Sequence, residues 1–412
     1  MEERMKFVWA CRQGDEPLSA LCRRFEISRP TAYKWMGRYE ALGLDGLADR
    51  SRAPRHHPNA LDEKTREMIL DLRQAHPTWG PRKLRVVLER QYPRKSWPAA
   101  STIGEFLGRQ GLSVPRKRRR RVERDPHPLT EGLLPNDLWG IDFKGWFRTG
   151  DGRRCDPLTL SDAASRFLLR LQVLPHTGHD AVRRLLEAAF REFGLPGAIR
   201  SDNGPPFASR AMAGLSPLSI WWIKLGIAHQ RIDPGCPQQN GSHERMHLTL
   251  KQETADPPAC NGRRQQERFD AFRDEFNDQR PHEALLMQTP GSRYGRSQRE
   301  YPAHLAEVEY GGAQARGGWL IRRVQKHGEF YWKNQSVFMS EVLRGEPIGL
   351  EPVDDRYWQA YFGPVKLGVF DSRRRRMLTR LQAKRWACKR GDPPRELPSA
   401  TLQATLPAED KV

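Results

Sequence analysis

Apolar residues recur at helical spacing from the start of the chain to about Gly43. Leu18, Leu21, Cys22 and Phe25 form one face, Glu26-Ile27-Ser28 breaks it, and Thr31-Ala32-Tyr33-Lys34-Trp35-Met36 carries a second helix to Tyr39. Ser28 is placed to cap that helix, and Pro30 falls near its first turn. Helix, short break and a helix opened by polar and basic residues outline a helix-turn-helix over residues 1–50. Its groove-facing side chains would be Arg29, Thr31 and Lys34; a plain helical bundle fits the same spacing.

Residues 44–60 carry Pro, Arg and His and read as a linker. Helical spacing then resumes over 60–113. Asp62 to Ala75 has Ile69, Leu70 and Leu72 apolar, Gly80-Pro81 opens Arg82 to Arg90, and Ala100 to Gln110 turns Ile103, Phe106 and Leu107 inward before Gly111 stops it. The spacing predicts a second helix-turn-helix-like module.

From Asn136 the period shortens. Leu138-Trp139-Gly140-Ile141-Asp142-Phe143-Lys144 alternates as a strand, with Trp139, Ile141, Phe143 and Phe147 on its apolar face. Asp156 to Ala163 and Phe167 to Leu174 follow as strands, with Gly150-Asp151-Gly152 as a hairpin signal between the first two. His179 to Phe193 is an amphipathic helix ended by Gly194. Gly197 to Ser201 is a short buried strand, Leu218 to Leu225 a helix, Ile227 to Ile232 a strand, and helices open at about Asn240 and run again over Glu267 to Asn277. That order predicts a mixed sheet with helices packed against it over 131–295. Beyond Gly311 to Gly318 only strand patterns remain: Trp319-Leu320-Ile321, Phe330-Tyr331-Trp332, Val337-Phe338, Ile348-Gly349-Leu350, Tyr357 to Phe362 and Lys366 to Phe370. They predict a small β-barrel over 315–372, followed by a basic tail over 373–412 that is expected to be extended or disordered.

Charge adds a partner to this outline. Lys and Arg number 70 against 50 acids, a formal net charge of +20 over 412 residues, which points to a polyanion, most simply nucleic acid. Arg116, Lys117, Arg118, Arg119, Arg120 and Arg121 are adjacent within 114–130 and repel one another, so this linker is expected to order only against phosphates; a solvated spacer is the plain alternative. The six cysteines are scattered, with neither a disulfide framework nor a CxxC spacing, and suit a reducing cytosol. No apolar run reaches membrane-spanning length, so the expectation is a cytoplasmic protein, nucleoid-associated when bound to DNA.

One stretch, Pro234 to Lys251, holds two incompatible chemistries. His243-Glu244-Arg245-Met246-His247 is H-E-x-x-H, the spacing of a zinc metalloprotease with Glu244 as general base. Alternatively Glu244 is a carboxylate aimed at a Mg²⁺ site whose other ligands lie upstream. Asp142 is an acid inside a strand, where acids are depleted, and either faces water or holds a cation. Asp202 ends a strand and opens Asp202-Asn203-Gly204, which is ordinary turn chemistry but also falls where α/β sheets bind ligands. Glu244 near a helix N-terminus could simply complement the dipole.

Taken together, Leu138 to Lys144, Ser201 to Phe207, Pro237 to Arg245, and Arg280-Pro281-His282-Glu283-Ala284-Leu285 with Thr289-Pro290 resemble the DDE transposases of bacterial insertion sequences, in the retroviral-integrase superfamily. The resemblance extends over nearly the whole chain and implies a ribonuclease-H-like core. It implies that Asp142, Asp202 and Glu244 are catalytic and bind two Mg²⁺ ions (Mn²⁺ as substitute), with Asp142 bridging both. It implies cleavage of the element's ends and joining of their 3′-OH to target DNA. Asn203 and Lys251 would contact DNA, the latter at a phosphate. The partners it implies are double-stranded DNA, as terminal inverted repeats and target, and further copies of the chain as a homodimer or higher multimer on paired ends. The Asp202 to Glu244 separation is longer than in familiar members, with an insertion around Ala211 to Leu218 that is expected to be a loop or longer helix leaving the geometry intact. The His/His/Cys/Cys zinc spacing of retroviral integrases is missing, so the helical modules should fold without metal. A catalytically inactive DNA-binding regulator is the remaining alternative.

Overall fold

The computed structural model describes residues 2–49, 60–113, 132–233, 236–310 and 318–389. The Arg116 to Arg121 run and the tail beyond residue 389 lie outside them. The chain forms two compact units, Met1–Arg66 and Glu67–Val412.

The first unit is built on α1 (Glu2–Gln13), α2 (Leu18–Arg24) and α3 (Arg29–Leu42). Phe7, Val8, Leu21, Cys22, Ala32 and Leu47 close its core. As its position promised, Ser28 caps α3, its Oγ accepting from the Thr31 N–H at 3.4 Å with Pro30 in the first turn. Arg29 and Lys34 stand exposed on α3, whereas Thr31 is half-buried and its hydroxyl lies 2.9 Å from Ser28 Oγ.

The second unit begins within α4 (Glu63–Ala75) and continues through α5 (Pro81–Gln91) and α6 (Ala100–Arg109). This helical module is pinned to the rest of the unit by a polar cluster around the buried Arg280. The Arg280 guanidinium donates to Glu253 at 2.8 and 3.1 Å and to Thr78 Oγ1 at 2.7 Å, the Thr78 hydroxyl also donates to Glu253, and Arg280 lies 6.0 Å from the Trp79 ring. Arg280 and His282 therefore owe their place to packing between the helical module and the sheet domain.

That domain runs β1 (Leu138–Phe143), β2 (Phe147–Arg148), β3 (Arg154–Cys155), β4 (Pro157–Asp162), β5 (Leu168–Val173), α7 (His179–Phe193), β6 (Ala198–Ser201), α8 (Pro217–Lys224), β7 (Ala228–Arg231), α9 (Gly241–Leu250) and α10 (Gly262–Asp274). The sheet order is β5-β4-β1-β6-β7, with β1 antiparallel to β4 and parallel to β6, and β6 parallel to β7. The two-residue period of β1 sets its faces. Trp139 and Ile141 pack with Leu186 and Phe190 of α7 and Trp221 and Trp222 of α8. Gly140 and Asp142 face the other way, toward α9. Phe147 does not continue the Trp139 face as the alternation suggested. It belongs to the separate β2–β3 hairpin and packs edge-on against Phe269 of α10.

The C-terminal region holds β8 (Leu320–Arg323), β9 (Glu329–Trp332), β10 (Gln335–Phe338), β11 (Pro347–Pro352), β12 (Tyr357–Phe362), β13 (Val365–Asp371) and β14 (Arg376–Met377), then α11 (Arg380–Lys389), so the stretch from 373 to 389 carries a strand and a helix in place of the extended or disordered tail expected there. The expected barrel is only half present. An antiparallel sheet β14-β13-β12-β11-β8 stays open, and β9–β10 forms its own hairpin. That hairpin covers the sheet with Phe330 and Trp332, which meet Phe370 at 5.3 and 5.0 Å, so packing takes the place of ladder hydrogen bonds. The insertion near Ala211 is a short turn, Met212–Gly214, before α8, whose first turn is closed by a Ser216–Ser219 capping box. Leu215, Ile220 and Ile223 join the apolar core of the C-terminal sheet. Among the described residues no helix is long and apolar enough to cross a membrane.

Candidate active site

The first two acids are brought together by strand register. Leu138 pairs with Ala198, Trp139 with Ile199 and Gly140 with Arg200. Carried two residues further, the same offset sets Asp202, at the carboxyl end of β6, beside Asp142 on β1. Asp142 is half-buried and faces Thr159 across the antiparallel ladder. The turn reading of Asp202 holds as well: the Gly204 N–H donates to Asp202 Oδ1 at 3.1 Å, and Asn203 is engaged with the Ile232 carbonyl at 2.6 Å. An Asx turn that fixes one carboxylate oxygen leaves the other available, so local turn and ligand roles are compatible.

Helix α9 divides the H-E-x-x-H residues between two faces. His243, Met246, His247 and Leu250 are buried, whereas Glu244, Arg245 and Leu248 are exposed. The helix lies close on β1 because position 140 has no side chain: a Cβ there would stand 2.8 Å from His243 Nδ1. His243 Nε2 and His247 Nε2 each lie 2.8 Å from Thr159 Oγ1, which donates to the Asp142 carbonyl at 3.0 Å. A hydroxyl has one proton and two lone pairs, so both imidazoles donate to it through Nε2–H. Burial pushes the His243 pKa down to about 4 and that of His247 to about 2, and both rings are neutral. His247 Nδ1 is 3.8 Å from Asp142 Oδ2. The histidines are thus the struts that seat α9 on the sheet. This speaks against the zinc reading, because the buried histidines and the exposed Glu244 lie on different faces of α9 and both Nε2 atoms are engaged with Thr159.

Three negative charges meet in the electrostatics of Asp142. Burial, then Asp202, then Glu244 push its carboxyl up to about 7, against the Phe143 N–H and Lys144, which hold it down. Burial also raises the Asp202 carboxyl. Even so, among the described residues no three or more His, Cys, Asp and Glu side chains are gathered closely enough to hold a metal ion, and that includes this set. Glu244 acts on Asp142 through its field. A carboxyl pushed up by burial and by two further acids, as Asp142 is by Asp202 and Glu244, belongs to the kind of oxygen donor set a hard divalent cation neutralises, so the residues fit Mg²⁺ by chemistry.

Several members of the site were missed in the sequence. Asn240 Nδ2 donates to Asp142 Oδ2 at 3.4 Å, and Arg200 reaches the Gln239 carbonyl at 3.2 Å, tying the loop before α9 to β6. Lys144 is half-buried, and its pKa is lowered by burial and by the charge of Lys251, which is exposed at the end of α9. The signal for Lys144 was present: two residues after Asp142 on a strand means the same face.

The comparisons with known proteins agree with this geometry. Residues 133–237 and 225–290 each match an Integrase core domain family, 3–55 a Helix-turn-helix domain and 31–107 a Homeodomain-like domain. The mixed sheet lies within the residues that match the integrase core, and the helix-turn-helix matches precede it in the chain. The chain is 28% identical over 232 residues to an uncharacterised 39.2 kDa protein of insertion element IS476 from Xanthomonas euvesicatoria, a match covering 56% of this chain and 64% of that one. It is 28% identical over 254 residues to an uncharacterised 31.7 kDa protein of insertion element IS407 from Burkholderia multivorans, covering 59% and 86%. A Gag-Pol polyprotein of baboon endogenous virus is 30% identical over 199 residues, 10% of its length. Among solved structures, the HTLV-2 integrase catalytic core domain in complex with magnesium is similar at 18% identity and a TM-score of 0.32, covering 40% of this chain and all of that one. The integrase-core matches over residues 133–290 and the insertion-element relatives support a DDE transposase of the integrase superfamily.

Proposed function

We propose that this protein is the transposase of an insertion element, binding the element's terminal inverted repeats, cleaving its ends and joining their 3′-OH to target DNA. The observation that carries the reading is the register of β1 with β6, which sets Asp142 beside Asp202 at strand ends within the field of Glu244. These three acids would hold the divalent ions. When bound, two such ions supply the positive charge that an in-line phosphoryl displacement needs at its attacking and leaving oxygens.

The rest of the work falls to the chain. The strut of His243, His247 and Thr159 holds α9, and with it Glu244, at a fixed height over β1. Neutralising Asp142 and Asp202 removes the repulsion that opposes the approach of Glu244. Lys144 and Lys251 hold the phosphate whose ester is exchanged. In the first displacement water forms a P–O bond as the bond to the 3′ oxygen breaks, leaving a 3′-OH. In the second that 3′-OH attacks a target phosphodiester and a target 3′ oxygen leaves, with no covalent enzyme intermediate. Arg29 and Lys34 on α3 contribute to recognition of the repeats. Two element ends require two active sites, hence a homodimer or larger multimer on paired ends.

The test uses the full chain and linear DNA carrying the sequences that flank its reading frame. Nicking and end joining should appear with Mg²⁺ or Mn²⁺, and Asp142→Asn, Asp202→Asn and Glu244→Gln should each abolish both while leaving the repeats footprinted. A Glu244→Gln protein that still joins ends overturns the assignment. Binding without nicking by the native chain would make it a regulator instead.

A further inference from the structure

We propose that the β2–β3 hairpin is a nucleobase platform beside the acids: Trp146 stacks on an unpaired base of the DNA end, and Arg148 and Arg154 hold the phosphates flanking it. This rests on the reading of the protein as a DNA-end transferase.

Trp146 follows Asp142 by four positions and is 56% exposed, although an indole gains more than most side chains from burial. Its exposure is not that of a loose loop. In the hairpin ladder Phe147 opposes Cys155 and Arg148 opposes Arg154. The inner pair packs with Phe269, Leu168 and Met246. The turn is fastened from outside: the Gly150 and Asp151 N–H groups donate to the Ala259 and Cys260 carbonyls, each at 2.8 Å. The approach is close enough that a Cβ at position 150 would sit 3.0 Å from Cys260 Cα. The outer face is therefore presented on a rigid support.

What that face carries is unfavourable without a partner. Two arginines directly opposite in a ladder repel each other. Their guanidinium carbons lie 5.8 and 5.2 Å from the Trp146 ring centre; Arg154 is held by Asp156 at 2.6 and 2.7 Å, whereas Arg148 donates to the Gly152 carbonyl at 2.7 Å. An exposed indole between two cations matches the two halves of a nucleotide, a flat π surface and an anion. A protein-docking surface would instead need a contiguous apolar patch, and Trp146 is the one large apolar side chain exposed on the described hairpin. Lys144, just past the end of β1, lies between the acids and the indole in the chain, and Lys251 adds its charge nearby. The path from Asp142 to the platform is thus basic. Bases inside a duplex already stack on their neighbours, so the occupant is an unpaired base, as at a frayed end next to the cut.

The experiment measures binding of the full chain to two fluorescein-labelled duplexes of one sequence, fully paired or mismatched over the terminal few pairs, with 2-aminopurine placed in the mismatched stretch. The native protein should prefer the frayed end and quench the 2-aminopurine. Trp146→Ala should lose about tenfold of that preference and the quench, with unchanged affinity for the paired duplex and an unchanged melting temperature. Trp146→Phe should restore most of both. Arg148→Ala should weaken binding to both duplexes and flatten the salt dependence. Equal preference and quench in Trp146→Ala and native protein overturn the platform. Mg²⁺-dependent nicking by the native chain, run in parallel, separates the two readings. Nicking with a preference that ignores Trp146 refutes the platform alone, whereas a Trp146-dependent preference without nicking refutes the transferase and leaves the platform standing.

Discussion

Two groups of charged side chains in the second unit are treated in opposite ways. Arg280 is buried and Glu253 half-buried, and the two are paired and shared with Thr78, so each charge there meets its complement. Asp142 lies in the field of Asp202 and Glu244, and burial together with those charges pushes its carboxyl up to about 7. The first group joins the helical module to the sheet domain and has no chemistry left to offer. The second is met by Asn240 and by the Phe143 and Gly204 N–H groups, and under the proposed function its unbalanced charge is what would take a divalent ion. Opposite charges brought together hold a fold, and like charges brought together ask for a ligand.

The contrast is broken most sharply at Asp142. Asp142→Asn should lower strand cleavage by at least about 10³-fold yet leave the metal-free melting temperature equal or higher, because a repelled carboxylate becomes neutral. A clear drop in melting temperature would mean that the acid is structural. Next comes the paired group. Glu253→Leu should cost roughly 3–5 kcal/mol by leaving Arg280 buried without its partner, and the double variant Glu253→Leu, Arg280→Met should recover much of that loss in urea unfolding. If the double variant were no better than the single, the pair would not be the source.

A smaller effect is expected with pH at the same interface. His282 is held down to about 3 from 6.5, first by burial and then by Lys83 and Arg280. A depressed histidine is neutral in the fold, so its contribution is complete above 6.5 and is lost as pH falls toward about 3, where the unfolded chain takes up a proton the fold refuses. Unfolding measured across that window should show a slope of up to about 1.4 kcal/mol per pH unit from this residue, flattened in His282→Leu. Smallest of all is the exposed pair Glu307–Arg323 at 2.9 Å. Glu307→Ala should change stability by no more than about 0.5 kcal/mol, which would confirm that burial, and not pairing alone, gives the Arg280 cluster its weight.

Much of the fold was legible from the chain. The α7 helix runs from His179 to Phe193 as its apolar face indicated, and β1, β4, β5, β6 and β7 fall within about two residues of their alternating stretches. The open C-terminal sheet was read as a barrel because strand periodicity is the same whether edges close by hydrogen bonds or are covered by side chains. H-E-x-x-H was ambiguous for a related reason. The spacing of His243 and His247 fixes their separation on a helix, but not whether that side of the helix faces solvent or the sheet.

The local code determined where helices and strands begin and end, that Asp142 interrupts an apolar strand, and that Asp202 follows another, since these depend on neighbours within a few residues. Tertiary structure alone decided that an offset of sixty positions in register sets those two acids side by side. It also decided that Gly140 admits His243, and that Thr159 claims both imidazoles. Each of these is a contact between segments far apart in the chain, and no periodicity within a segment carries information about what will be packed against it.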